Sequence, residues 1–243
     1  MYSLFKKEII SFLSSLSGFV VIIVFLIANG LFLWVFKGNL NIMDNGYATL
    51  ESLFVLAPWV FLFLIPAITM RTFAEEKKSR TMELLLSRPL SDMQIILGKY
   101  LADMALILLS ILPTLIYFYS VSRMGSPQGN LDSGGTWGSY VGLIFLAGVY
   151  AAIGTFISSL TENQIVSFII SLLLCFLFYI GFDYLSSLDI FSGFSAFVAK
   201  LGINEHYRSM SRGVLDTRDM LYYLSVIAIF LLLTKIVLQS RNW

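Results

Sequence analysis

The chain has one histidine, His206, and one cysteine, Cys175. A metal centre needs several Cys, His or carboxylate ligands at set spacing, and an activated nucleophile needs a base beside it. Neither can be assembled from this inventory. No GxxxxGK[ST] loop, GxSxG turn or HExxH pair occurs, so the chain has no phosphate-cradling loop of its own and reads as non-enzymatic. The densest group of reactive side chains is "AEEKKSRTMELLLSRPLSDMQ", residues 74–94. It interleaves Glu75, Glu76 and Glu83 with Lys77, Lys78 and Arg80, and adds Thr81, the block Leu84, Leu85 and Leu86, and Pro89. Mixed charge beside leucines suits docking to another protein rather than bond chemistry.

The elements that must hold this stretch are set by composition. Of the 243 residues, 58% are hydrophobic and 13% charged, about half the charge of a soluble domain. The apolar residues fall into six runs long enough to cross a bilayer as helices: about 16–36, 52–70, 101–121, 137–160, 165–184 and 221–238. The expected fold is an all-α polytopic membrane protein forming a single transmembrane domain over 1–243. Net charge is +1, which provides no basic field for nucleic acid. Lys6 and Lys7 before an apolar run, with Ala28 and Gly30 after it, imitate a secretory signal. The run continues through Leu31–Leu33 and five more spans follow, so cleavage is not expected.

Orientation follows Lys and Arg placement. The short, strongly basic connection from Arg71 to Lys99 sits between two strong spans, which puts it and both termini in the cytoplasm. Residues 1–15 place Phe5, Ile9, Phe12 and Leu16 on one helical face and Lys6, Lys7, Ser11 and Ser14 on the other. This is either an amphipathic helix in the inner interface or an extension of span one. Thr161, Glu162, Asn163 and Gln164 form a tight inner turn. On the outer side, residues 186–217 form a short re-entrant or cap segment. Its apolar part, 190–201, is too short to cross, and Phe191, Phe194 and Phe197 are its expected anchors. Asp216 is placed to cap the last span. Small residues in span four, Gly138, Gly142, Gly148, Ala151, Ala152 and Thr155, point to close helix packing or, alternatively, to a lined path.

Within the charged stretch, the helix of span two is expected to run on, pairing Arg71 with Glu75 and Glu76 with Arg80 at i,i+4. Met82, Leu85 and Leu86 make an exposed strip with Leu84 beside it, and Pro89 stops the helix. Ser91 and Gln94 have capping-box spacing for a new helix into span three. Asp103, four residues after Lys99, reads as that lysine's partner.

"RTFAEEKKSRTMELLLSRPLSDMQIILGKYLAD" resembles the signature of ABC-2 type permeases, where an acidic–basic run leads into T-x-E-L-L-L-x-x-P between spans two and three. Thr81, Glu83, Leu84, Leu85, Leu86 and Pro89 match it; Arg80 stands where Gly is common. "EHYRSMSRGVLDTRDMLYYLS" is similar to the NosY-like branch, and within it to gliding-motility permeases of the GldF type. The resemblance implies the permease subunit of an ATP-binding-cassette transporter in a bacterial inner membrane. Residues 74–90 would be the coupling helix for a separate, GldA-like ATPase that binds the ATP, with Glu162 in a lesser contact. A GldG-like membrane subunit or a second copy of the chain would complete the pathway. The alternatives are a mechanical or assembly subunit without flux and an ion-coupled carrier. The carrier reading is disfavoured because no ionisable cluster falls at a span midpoint.

Overall fold

The structure, a computed structural model, describes residues 1–86, 90–188 and 195–240, without the side chains of Leu16, Ser17, Leu84 and Leu86. All regular elements among the described residues are helical. In chain order they are α1 (Tyr2–Leu13), α2 (Leu16–Gly30, continued by a π-helical turn Leu31–Val35), α3 (Glu51–Thr69), α4 (Ala74–Lys78), α5 (Met82–Leu86) and α6 (Asp92–Ile111). Then follow α7 (Leu115–Met124), α8 (Ser133–Leu160), α9 (Gln164–Phe176), a π-helical turn Leu177–Gly181, α10 (Phe182–Ser186), α11 (Ser195–Ala199), α12 (Ile203–Met210) and α13 (Thr217–Gln239). Among the described residues six stretches have membrane-crossing length: Gly18–Val35, Glu51–Lys78, Asp92–Met124, Ser133–Leu160, Gln164–Ser186 and Thr217–Gln239. Each overlaps one of the six apolar runs of the sequence.

Span four, α8, is the centre. Its apolar window is 78% buried, against 22% for spans one and five, and it packs against α3, α6, α9, α12 and α13. The small residues explain this. A methyl group at Gly142 would lie 2.6 Å from Met210 Cβ, and one at Gly154 would overlap Thr69. Packing, not a lined path, accounts for the stripe.

The spans alternate, so α1 and the end of α13 lie at the same end of the bundle, both against α6, where Gln239 Nε2 donates to Asp92 Oδ2 at 3.3 Å. This is the terminal end of the bundle; the loops after spans one, three and five form the far end. α1 is a separate helix and not an extension of span one. Ser14 Oγ folds back on Ile10 O at 2.6 Å, and Ser15 caps α2 by accepting Gly18 N–H at 3.2 Å. α1 then packs on α6, with Leu4 beside Gly98.

At the far end one of the three expected anchors is described, and it is not seated. Phe197 is 65% exposed, and Phe191 and Phe194 lie outside the described residues. The seat is made one helix later by Ile203, Tyr207 and Met210 of α12, all buried. Pro58 lies inside α3 and has no N–H, so Phe54 O loses its helical donor. Tyr207 Oη donates to that oxygen at 2.8 Å. Burial, and secondarily Tyr179, raises the Tyr207 hydroxyl well above its ordinary pKa, which keeps it a neutral donor. Asp216 caps α13 as expected, accepting Arg218 N–H at 2.9 Å.

Candidate functional site

Span two's helix does not run on unbroken into the charged stretch. It ends at Thr69, a turn covers 70–73, and α4 begins at Ala74. A new helix exposes free N–H groups at its start. Here Phe73 N and Ala74 N donate to Ser158 Oγ of α8 at 3.0 and 3.1 Å, and Ser158 Oγ donates onward to Met70 O at 3.2 Å. Lys77 Nζ donates to Ser159 O. Two adjacent serines at the end of span four thus hold α4 at both of its turns.

α4 stops in a Schellman turn. Arg80 N donates to Lys77 O at 3.1 Å and Thr81 N to Glu76 O at 2.9 Å, with Arg80 at φ 56°. That left-handed position is where the resembled signature carries Gly, and the conformation explains why. It also removes Arg80 from the helical face of Glu76. The expected Glu76–Arg80 pair is therefore absent. So is Arg71–Glu75, because Arg71 belongs to the turn and not to the helix of Glu75.

α5 differs from expectation as well. Met82 and Leu85 are 7% and 6% exposed and join the core of the chain, so at these positions the apolar strip is used internally. Leu84 and Leu86 side chains and Pro89 lie outside the described residues. Glu75, Lys78, Arg80, Thr81 and Glu83 remain exposed, and so does Glu162 in the turn that follows Ser159. The capping box forms: Ser91 Oγ accepts Gln94 N–H at 3.3 Å, and Gln94 Oε1 accepts Ser91 N–H at 3.2 Å.

Behind this surface lies an ion network that sequence reasoning did not find. Lys99, on α6, is 1% exposed. Its Nζ lies 3.1 Å from Glu8 Oε1, 3.0 Å from Glu76 Oε2 and 5.2 Å from the Phe73 ring centre, and donates to Thr72 O at 2.7 Å. Lys7 adds a second cation, 3.4 Å from Glu8 and 3.5 Å from Glu76. The expected Lys99–Asp103 pair is not made; Asp103 accepts from Thr72 Oγ1 at 2.7 Å instead. A buried ammonium demands anions, and α1 and α4 deliver two that a helix-internal neighbour cannot supply alone. The available signal was a lysine flanked by Ile95, Ile96, Leu97 and Tyr100 on a helix otherwise entering the membrane. Beside the network, Glu8, Arg71, Thr72, Glu75 and Asp103 line a cavity of about 120 Å³.

The arrangement is one of attachment between α4 and its neighbours. α4 is tied to span four by serines and to span three by Lys99, and α1 closes the back. Of the ten coupling residues read from the sequence, Glu76 enters this network and Leu85 the core, while Glu75, Arg80, Thr81, Glu83 and Glu162 are exposed.

The sequence model described as ABC-2 family transporter protein matches residues 35–234, from the end of span one into span six. α1, with Lys7 and Glu8, precedes that segment. No curated protein matches the chain. The match covers most of the chain and all of the charged stretch between spans two and three. With six membrane-length helices to support it, the chain belongs to the ABC-2 transporter family, as a multi-pass membrane permease subunit partnered by an ABC ATPase.

Proposed function

We propose that the terminal end faces the cytoplasm of a bacterial inner membrane and that residues 74–86 form the seat of the ATPase. The observation that carries this is the double attachment of α4. It is bonded to α8 through Ser158 and Ser159 and ion-paired to α6 through Glu76 and Lys99, while Glu75, Lys78, Arg80, Thr81 and Glu83 face solvent. A force applied to that exposed surface passes to spans three and four, the second of which is the packing centre. ATP binding and hydrolysis belong to the partner, and the movement serves export or conformational work. The second contact is Glu162. Likeness of residues 205–225 to gliding-motility permeases supports a GldA-like ATPase and a GldG-like or identical second membrane subunit.

Glu83 is the polar contact to test. A carboxylate covered by a partner is costly unless it is paired, so a cation or a group of N–H donors should receive it. Glu83→Ala should leave membrane insertion intact and weaken ATPase binding by about 2–5 kcal/mol if the pair is fully desolvated. Co-purification of the ATPase in mild detergent, with hydrolysis by the complex, reads this. Wild-type binding and hydrolysis by the variant would remove the coupling assignment, and the identity of the co-purifying ATPase tests the gliding-motility reading.

A further inference from the structure

A cavity of about 530 Å³ opens at the far end between α3, the outer part of span five and α12, remote from the ATPase seat and independent of it. Its walls are of two kinds. Toward the far end stand Asp183, Asn204 and Arg208; one to two turns deeper stand Val55, Trp59 and Tyr179. Tyr179 sits in the π-helical turn, four residues before Asp183, or about 6 Å along the span. The inner wall is made of buried residues: Phe54, Tyr179 and Tyr207 are 2%, 6% and 3% exposed. The lateral wall is open, with Val55 and Trp59 at 50% and 45%.

The polar groups are not equally committed. Asp183 Oδ2 accepts from Asn204 Nδ2 at 2.5 Å, so the carboxylate has a close partner. The Arg208 guanidinium lies 3.8 Å from the same oxygen, beyond hydrogen-bond distance, and its side chain is 64% exposed. The group at the mouth with the most open hydrogen-bonding capacity is therefore the Arg208 guanidinium. A guanidinium with open donors takes carboxylate or phosphate, and the aromatic wall beneath it takes an apolar chain.

We propose that this cavity binds an anionic amphiphile, its carboxylate or phosphate head on Arg208 and its chain along Trp59 and Ile180, entered from the bilayer side past Val55. The alternative chemistry is a cation held by Asp183 and the aromatic faces. It brings a like charge to Arg208, whose guanidinium already lies 3.8 Å from the same carboxylate.

Trp59 reports occupancy. The full chain, purified in a neutral maltoside, is titrated with brominated dodecanoate and with brominated dodecyl phosphate, and tryptophan fluorescence is followed. Brominated dodecanol and a brominated dodecyl-trimethylammonium are the neutral and cationic comparisons. The expected result is saturable quenching by at least one anionic probe, absent in Trp59→Phe. Its dissociation constant should rise about tenfold in Arg208→Gln and change less in Arg208→Lys, which keeps the charge. Saturation by the dodecanoate alone identifies a fatty-acid-type head, and by the phosphate alone a phospholipid-type head. Equal saturation by the cationic probe overturns the proposal, as does an unchanged constant in Arg208→Gln. Trp59 that no probe quenches also overturns it.

Discussion

The two ends of the bundle solve the same problem in different currencies of interaction. Each must fasten a short helix outside the spans to the spans themselves. At the terminal end α4 is fastened by charges and serine hydroxyls: Glu76 to Lys99, Lys77 to Ser159 O, and Ser158 to two backbone N–H groups. At the far end α12 is fastened by aromatic hydroxyls donating to main-chain oxygens. Tyr207 reaches Phe54 O at 2.8 Å, and Tyr223 reaches Ile203 O at 3.3 Å. His206 adds a stack on Tyr222 at 3.9 Å and a 2.7 Å contact to Asp219. These tyrosine contacts are neutral and buried, and they define one seating. An ion network with two cations and two carboxylates can exchange partners, and its outer members touch solvent. The lesson is that the end expected to move under an external force is held by the exchangeable interactions, and the end that covers a cavity is held by the fixed ones.

The sharpest way to break this comparison is at Lys99. Lys99→Met leaves Glu8 and Glu76 facing one another without their buried cation. Destabilisation of about 3–5 kcal/mol is expected, as for any buried pair that loses one partner. Adding Glu76→Gln to that variant should recover part of the loss. Thermal unfolding in detergent of the single and double variants measures both; a Lys99→Met variant as stable as wild type would mean that the network carries nothing.

The far end is tested by Tyr207→Phe, which leaves the proline-freed Phe54 carbonyl unpartnered inside the bundle. A cost of about 1–3 kcal/mol is expected, with faster amide exchange over residues 203–210 and little change around α4. Exchange that rises equally at both ends would dissolve the distinction between them. Gly154→Val is the control for the centre. It forces side-chain volume into the contact with Thr69, and about 1–3 kcal/mol of destabilisation is expected, read as a lowered Tm.

A gain is expected at Arg80. Replacement by Gly removes the steric penalty of a left-handed residue and should stabilise the α4–α5 turn by about 1 kcal/mol. Slower proteolysis of the 78–82 turn would show it. The smallest effect belongs to Lys7, whose side chain is 60% exposed. Lys7→Ala should change stability by less than about 1 kcal/mol, and by still less at high salt. A salt-independent effect would place Lys7 in the buried network instead of at its rim.

What the sequence alone determined is local. Six apolar runs specify six spans because the bilayer requires length and continuity that no other segment supplies. The Ser91–Gln94 capping box and the Asp216 cap are legible because each involves residues two or three positions apart. The mixed charge of residues 74–83 is legible as a polar segment between spans two and three, and the signature around Glu83 agrees with the family that the chain belongs to. What the tertiary structure decided is every contact whose partners are far apart in the chain. Lys99 finds Glu8 across 91 positions, Ser158 meets Phe73 across 85, and Tyr207 fills the Pro58 gap across 153. Periodicity placed Lys99 near Asp103 and left Met82 and Leu85 exposed, because it sees one helix at a time. Burial is fixed by which helices pack together, and a buried charge or carbonyl then takes whichever partner that packing delivers, however distant in sequence.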